Sequence, residues 1–349
     1  MPGRTRILSG VQSSGKLHIG NYFGAIKQHI ERQDQADCYY FIADYHALTT
    51  LKEAEEKEIA AAAKAKGVTP RSAPQILRDN THAAALDYLA LGLDPHKAAF
   101  YRQSDVPEVN ELAWFLACVT GHGLLERAHS FKDKEAKGIA PSAGLFFYPL
   151  LMAADILIVR SHLVPVGKDQ EQHLEMTRDM ARSFNHAYGT IFPEPEAMFN
   201  EAAVVPGTDG QKMAKSANPP NSIDIFAEGK ALERQVMGIV TDKTPLEAPL
   251  NPDTCNVFAL YKLFATTAEK EAMAGKYRAG GFGYGAAKKE LLAKIDAYFA
   301  PARERRKQLE QNPGIVEEAL AIGARRAREV ARVTMRLVRQ AVGMTPQPL

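Results

Sequence analysis

A chain of 349 residues is long enough for one large domain and a smaller companion. Its 46% hydrophobic and 24% charged residues exclude a disordered chain, and a formal net charge of +2 excludes a surface coated in positive charge for nucleic acid. Any contact with nucleic acid must therefore use local patches.

In chain order, the opening MPGRTRILSG lacks the apolar core of a signal peptide. Residues 6–12 read as a short strand and 13–16 as a tight polar loop. A helix is expected at 18–33, with Ile19, Phe23, Ile26 and Ile30 at helical spacing. A second strand is expected at 38–43, an exposed, Ala-rich and charged helix at 51–66, and a surface connection with two prolines at 67–74. A third strand follows at 98–102. Residues 131–141 are basic and then flexible in composition, the pattern of a mobile segment or an interface. The best apolar run, 145–159, carries Asp155 and falls short of the ~20 apolar residues that span a bilayer, so it reads as a buried helix and no membrane association is expected. A fourth strand at 163–166 leads into a helix at 170–183.

Strands alternating with helices predict an α/β fold, a Rossmann-like parallel sheet with helices on both faces. After about residue 218 the composition changes. Pro219 and Pro220 break the chain, and helices are expected at 255–265, 267–276 and 286–299, the last opened by the glycine-rich loop 280–285. From 301 onward ten basic residues stand against five glutamates, and Arg325, Arg328, Arg332, Arg336 and Arg339 share helical spacing, as on a solvated helix face. The expected organisation is a catalytic domain at 1–216 with an insertion at about 107–141, a smaller all-helical domain at 217–300, and C-terminal helices at 301–349. Cys38, Cys118 and Cys255 lie far apart with no CxxC pair, which fits a reducing, cytoplasmic setting and no disulfide framework.

Two segments carry phosphate chemistry. Residues 10–17 are nearly a P-loop, but Leu17 stands where the Mg²⁺-binding Ser or Thr belongs. The next residues, His18-Ile19-Gly20-Asn21, open a helix, whose first N–H groups and positive dipole end suit phosphate. His18 and Asn21 add donors from the first turn, and Gly20 leaves room for a base or ribose against the backbone. About 190 residues later, Gly210-Gln211-Lys212-Met213-Ala214-Lys215-Ser216 sets two lysines three apart in a glycine-led loop, a cation clamp for charge on a leaving pyrophosphate. Read alone, that loop is a solvated surface segment. The two in this order resemble the HIGH and KMSKS signatures of class I aminoacyl-tRNA synthetases. Asn21 replaces the last His and Ala214 the first Ser, a departure that removes a hydroxyl but neither cation.

The substrate is read from residues 148–155. Tyr148, Met152 and Asp155 fall at i, i+4 and i+7, on one helix face. Asp155 stands among Ala153, Ala154, Ile156 and Leu157, where a carboxylate is costly without a partner. A structural reading gives it a backbone N–H or a basic residue. A functional reading has it accept the N–H of an indole, a donor-only group, with Met152 beside the ring and Tyr148 bonding the substrate's amino group. A phenol would call for a second polar group where Met152 stands.

Tyr, Met and Asp at this spacing resemble the tryptophanyl-tRNA synthetase family, whose tyrosyl relatives carry Gln at the Met position. Residues 10–15 are similar to its GxQPSG, with Ser13 for Pro, and residues 164–170 to its VPVGxDQ. The resemblance implies ATP contacts at Gln12, Ser13, Ser14, Gly20, Asn21, Gly167, Lys168, Asp169, Val204 and Lys212 through Ser216. It implies tryptophan contacts at Leu8, His46, Tyr148, Met152, Asp155 and Gln170, with Gln170 at the substrate's polar end. His18, Asn21, Lys212 and Lys215 would be catalytic. It further implies L-tryptophan activation with ATP and Mg²⁺, transfer to tRNA(Trp), an anticodon-reading domain at 217–300, C-terminal helices that fold back on the catalytic domain with arginines facing tRNA, and a homodimer with residues 112–137 at the interface. His122 and His129 lack a third ligand at useful spacing, so no protein-held metal is expected. The alternatives are a tyrosyl-type relative, a nucleotidyltransferase of the same fold acting on a small acid without tRNA, and a non-catalytic tRNA-binding paralogue, which would not need His18, Lys212 and Lys215.

Overall fold

The computed structural model describes residues 4–13, 15–64, 67–128, 142–167, 170–199, 205–214, 217 and 219–345. Strands β1 (Arg6–Val11), β2 (Asp37–Ile42), β3 (Ala99–Arg102), β4 (Leu163–Val166) and β5 (Glu196–Phe199) form one sheet in the order β3-β2-β1-β4-β5, every pair parallel. The chain winds outward from β1 in one direction through β2 and β3, then returns to build β4 and β5 on the other side. Between β1 and β4 the loops leaving the strand ends diverge, and ligands of open parallel sheets bind in that crevice.

Side chains alternate across the sheet and divide the core in two. Ile7, Val11, Cys38, Tyr40, Ile42 and Phe100 belong to one apolar cluster, and Leu8, Tyr39, Phe41, Ala99 and Tyr101 to the other. The first face receives α1 (Ile19–Asn21), a π-helical turn (Tyr22–Ile26) and α2 (Lys27–Arg32). Two short elements follow β2: α3 (Asp44–Ala47), and α4 (Leu51–Lys64), which buries none of its residues. α5 (Ala73–Leu91) returns to the first face. Its start is set by a Ser72–Gln75 capping box with proline in the first turn, its end by Gly92 at φ 111°. The second face is covered by α6 (Glu108–Val119), α7 (His122–Glu126), α8 (Ala143–Ile158) and α9 (Glu171–Tyr188).

After residue 218 comes α10 (Gly229–Met237), and the three helices expected there are present as α11 (Asn256–Tyr261), α12 (Thr267–Ala279) and α13 (Tyr284–Gln311). Their apolar faces are continuous with the first cluster of the sheet. Tyr22, Phe23, Phe264, Tyr298 and Phe299 meet edge to face, with Tyr22–Phe299 centroids 5.1 Å apart, and so tie the turn after α1 to α13. α13 runs unbroken through residue 300, where a boundary was expected from sequence, because Arg305 and Arg306 continue its contact with α5: Arg305 donates to the Ala90 carbonyl at 2.8 Å and Arg306 to Asp87 at 2.8 Å.

The last helix, α14 (Pro313–Ala341), crosses the outer edge of β3. Val316, Ala319 and Leu320 lie in the first cluster, and Ala324, Ala327, Ala331, Met335 and Val338 in the second. Gly323 stands between them, where a Cβ would come within 2.0 Å of the Phe100 carbonyl oxygen. One helix thus closes both cores and covers an edge strand that would otherwise offer unpaired backbone groups. Its arginines do much of the fastening. Arg328 forks onto Glu108 at 2.8 and 3.0 Å, Arg339 meets Glu111 at 2.5 Å, and Arg326 reaches the carbonyls of Pro95, His96 and Lys97. The solvated basic face read from the sequence is reduced to residues such as Arg325 and Arg336, which are exposed.

α3, α5, α6, α7, α10 and β5 were not anticipated. The capping box of α5 was legible, since Ser72 and Gln75 bracket a proline. β5 carries no such signal. Its sequence EAMF is only partly buried, and it is a strand because its backbone pairs with β4. No described helix is long and apolar enough to cross a membrane.

Gly323→Ala is expected to destabilise the protein by about 1–3 kcal/mol through overpacking at the β3 edge, although alanine is the better helix former by ~1 kcal/mol. Thermal unfolding checks this. An unchanged or raised midpoint would mean that α14 can draw away from the sheet without cost.

Candidate active site

The site is built where the strands end. After Val11 the chain enters a loop in which Gln12 is exposed and Ser13 buried, the Ser13 hydroxyl having no hydrogen-bond partner among the described residues. Gly15 turns it with φ 54°. His18 caps α1: its Nδ1 accepts from the Asn21 N–H at 3.2 Å, while its own N–H donates to Asn21 Oδ1 at 3.1 Å. With Nδ1 as acceptor, the ring proton of His18 sits on Nε2, and Asn21 keeps its NH₂ as a donor. The pair expected to serve as phosphate donors is therefore also a reciprocal cap that fixes both side chains.

The lysine loop comes to the same place. The Gly20 N–H donates to Met213 Sδ at 3.3 Å, and a Cβ on Gly20 would lie 3.0 Å from His18 Nδ1 and 3.3 Å from Met213 Cβ. The room left by Gly20, expected for a base or ribose, is here bordered by the His18 ring and Met213. The chain beyond is sewn to the start of α1: the Ile19 N–H donates to the Ile223 carbonyl at 3.0 Å, that of Ile225 to Leu17 at 3.2 Å, and His18 bridges Asp224. Met213 is buried, whereas Lys212 is exposed and Ala214 half-buried. Asn221, missed in the sequence, staples the loop. It accepts from the Ala214 N–H at 3.0 Å and donates to the Lys212 carbonyl at 3.1 Å and to Asp209 at 2.9 Å.

Across the crevice, α8 presents Tyr148, Met152 and Asp155, with Asp155 3% exposed and the other two half-buried. Two polar partners meet the carboxylate. His46 Nε2, on α3 after β2, lies 3.0 Å from Asp155 Oδ2. Gln103, in the turn after β3, donates from Nε2 to Oδ1 at 3.0 Å and Oδ2 at 2.8 Å. Burial pushes the Asp155 carboxyl above its ordinary range. The bonds from His46 and Gln103 pull it down, and the nearby charge of Asp44 adds to the rise. A carboxylate offers about four acceptor directions. Three are occupied by described residues, and the one left is on Oδ1.

The other expected contact residues are placed as follows. Leu8 is buried in the cluster against which Met152 packs. The His46 and Tyr148 rings stand edge to face at 6.5 Å. The Tyr148 hydroxyl is held in a short hydrogen bond with His173 of α9, a residue not singled out in the sequence. Gln170 caps α9, its N–H bonded to the Gly167 carbonyl at 2.9 Å, and Gly167 is exposed at the end of β4. Ser14, Lys168, Asp169, Val204, Lys215 and Ser216 lie outside the described residues, as does the basic segment 131–141. Gln103 was missed because a glutamine after a strand carries no pattern. Its role rests on the folding of β2, β3 and α8 to one point.

A lysine loop packed beside a capped helix start, and a buried acceptor carried on the same sheet, suit the joining of a small molecule to a nucleotide. Known proteins agree in kind. The family model described as tRNA synthetases class I (W and Y) matches residues 2–300. A tryptophan–tRNA ligase of Rhodopirellula baltica is 51% identical over 340 residues, 97% of this chain and 99% of that protein. Another, of Fusobacterium nucleatum, is 51% identical over 342 residues, covering 97% and 98%. The crystal structure of the Campylobacter jejuni tryptophanyl-tRNA synthetase complexed with ADP and tryptophan matches with a TM-score of 0.86 at 46% identity, covering 97% of this chain and 100% of that one. On a family match that spans most of its length and relatives of this identity, the chain belongs to the class I tRNA synthetases of the tryptophan and tyrosine type.

Proposed function

We propose that the chain activates L-tryptophan with ATP to tryptophanyl-adenylate, releasing pyrophosphate, and transfers the tryptophanyl group to the 3′-terminal ribose of tRNA(Trp). The observation that carries this reading is the buried Asp155, with a single acceptor direction left beside half-buried Met152 on α8. A donor-only ring such as indole satisfies it, whereas a phenol would bring an acceptor as well. The tryptophan ligases that are 51% identical over nearly the whole chain favour the same substrate over tyrosine.

In the first step a tryptophan carboxylate oxygen bonds to the α-phosphorus of ATP in line. The bond from that phosphorus to the bridging oxygen breaks, and pyrophosphate leaves with the electron pair. Holding the two reactants side by side supplies much of the rate. His18, Asn21, Lys212 and Lys215 stabilise the charge that builds on the phosphates, with Gln12, Ser13, Ser14, Met213, Ala214 and Ser216 around them. Gly167, Lys168, Asp169 and Val204 flank the ribose and adenine. Leu8, His46 and Met152 enclose the indole, and Tyr148 and Gln170 meet the substrate's polar end. In the second step the terminal 2′-hydroxyl of tRNA attacks the activated carbonyl and AMP leaves. The Mg²⁺ this chemistry uses would be held mostly by the phosphates of ATP, whose charge it would offset. Such a reaction belongs in the cytoplasm, with ATP and tRNA.

Residues 217–300 read the anticodon, and Arg325 and Arg336, exposed on α14, are open to tRNA. The chain works as a homodimer. Trp114 on α6 is 69% exposed and Phe147 on α8 49%, which is costly for rings of this size unless a second copy covers them.

Pyrophosphate exchange run with all twenty amino acids is expected to proceed with tryptophan alone, and the product to charge tRNA(Trp). Equal exchange with tyrosine, or exchange without tRNA charging, would overturn the assignment. Lys215→Ala should slow exchange by about 10²-fold or more while tryptophan still binds, and an unchanged rate would remove Lys215 from the chemistry. Asp155→Ala should raise the KM for tryptophan about 10- to 150-fold, the loss of one hydrogen bond to a charged group, with the KM for ATP little changed. Because burial raises its pKa, wild-type Asp155 takes up its proton at a pH above the usual carboxylate range. The acid limb of kcat/KM for tryptophan should therefore begin there and be absent from the variant. Trp114→Glu should weaken self-association about tenfold or more, measured by sedimentation, and an unaltered dimer would place the interface elsewhere.

A further inference from the structure

Two loops that leave neighbouring strands are clasped to each other beneath the acceptor. Asp44, at the start of α3, accepts from the N–H groups of Tyr45 and Ser104 through Oδ1, at 3.1 and 3.0 Å, and from the Ser104 hydroxyl through Oδ2. Gln103, in the other loop, answers in the opposite direction. Its Oε1 accepts from the backbone N–H groups of Tyr45 at 3.1 Å and His46 at 3.4 Å. Its Nε2 then faces both oxygens of Asp155. Gln103 is 1% exposed and stays in place by packing as well as by these bonds.

The amide has only one orientation in this setting. Both backbone partners are donors, so the carbonyl end must face α3. The NH₂ end must then face Asp155, where only an acceptor is satisfied. An uncharged donor at that point favours the ionised carboxylate, holds both of its oxygens, and leaves Oδ1 with one direction open. His46 is tied into the same ring twice, through its backbone N–H to Gln103 and its imidazole to Asp155.

We infer that Gln103 is the positioning residue for indole recognition: it holds the Asp155 carboxylate as a pure acceptor aimed at the ring N–H, and so sets the preference for tryptophan without touching the reacting atoms. This rests on Asp155 as the indole acceptor, and the test separates the two.

Two variants divide the functions of the amide. Gln103→Leu removes both ends. Gln103→Glu keeps an oxygen for the Tyr45 and His46 N–H groups and sets a second carboxylate oxygen, in place of the donor, against Asp155. Pyrophosphate exchange is measured with tryptophan and with the isosteric analogue that carries sulfur in place of the indole N–H. In the wild type, the analogue leaves the open acceptor direction of Asp155 unfilled and is discriminated against. In both variants the KM for tryptophan should rise about tenfold or more, discrimination between tryptophan and the sulfur analogue should shrink by a similar factor, and the KM for ATP should stay within about twofold. If the tryptophan KM and the discrimination are unchanged in Gln103→Glu, the inference is overturned. A loss that falls equally on both substrates and follows the melting temperature overturns it too, as the mark of a purely structural role. Asp155→Ala is the control. If it leaves discrimination intact, the acceptor reading falls and Gln103 with it. If it abolishes discrimination while the Gln103 variants do not, only the role of Gln103 falls.

Discussion

A carboxylate at the centre of an apolar helix face must be partnered, and much of the site follows from how this protein meets that need. Asp155 is surrounded by Ala153, Ala154, Ile156 and Leu157, all buried. Such a group in a low-dielectric interior is stable as an anion only with hydrogen-bond donors arranged around it. The donors come from the ends of β2 and β3, through His46 and Gln103. The requirement to satisfy one charge thus fixes the mutual position of two strand-end loops and of α8. In the function proposed, specificity is a by-product of that satisfaction being incomplete by one bond.

The nucleotide side is assembled on a different principle. The turn at residues 18–21 and the segment around Lys212 come from opposite ends of the catalytic sequence, and they meet so closely that a Cβ at Gly20 would crowd His18 and Met213 at 3.0 and 3.3 Å. Backbone pairing of Ile19 with Ile223 and of Leu17 with Ile225 fixes the approach. Asn221 holds the loop's backbone and leaves the exposed Lys212 side chain without a structural duty. The cation clamp proposed for this loop would benefit from the division, with the backbone specified and the exposed Lys212 end left able to follow charge on the phosphates.

The C-terminal third shows how a helical appendage becomes inseparable from a sheet. Its helices extend the same apolar cluster that covers one face of the strands. α14 then passes over the edge of β3 into the other cluster, with Gly323 at the crossing. Most arginines along α13 and α14 face carbonyls and carboxylates of the catalytic part, as Arg305, Arg306, Arg326, Arg328 and Arg339 do. Helical spacing had suggested a solvated face there, and the family resemblance a helix folded back with arginines toward tRNA. Positive charge on a helix does not distinguish a tRNA contact from an internal fastening until the opposite surface is known.

What the sequence determined by itself was whatever is encoded over short range. Alternating strands and helices placed β1 to β4 within a residue or two, and the i, i+4, i+7 spacing put Tyr148, Met152 and Asp155 on one helix face. The two phosphate-side segments were visible as motifs, with Asn21 and Ala214 as their departures. What only the tertiary structure decided was everything carried by backbone pairing or by partners far apart in the chain. The weak segment at residues 196–199 became a strand through its pairing with β4. His18 and Asn21 proved to cap each other. Gln103 and Asn221, unremarkable as letters, turned out to orient the acceptor and the lysine loop. The physical reason is the same in each case: a hydrogen bond depends on where two atoms are brought, and a local pattern of residues records which groups need partners but not which groups will supply them.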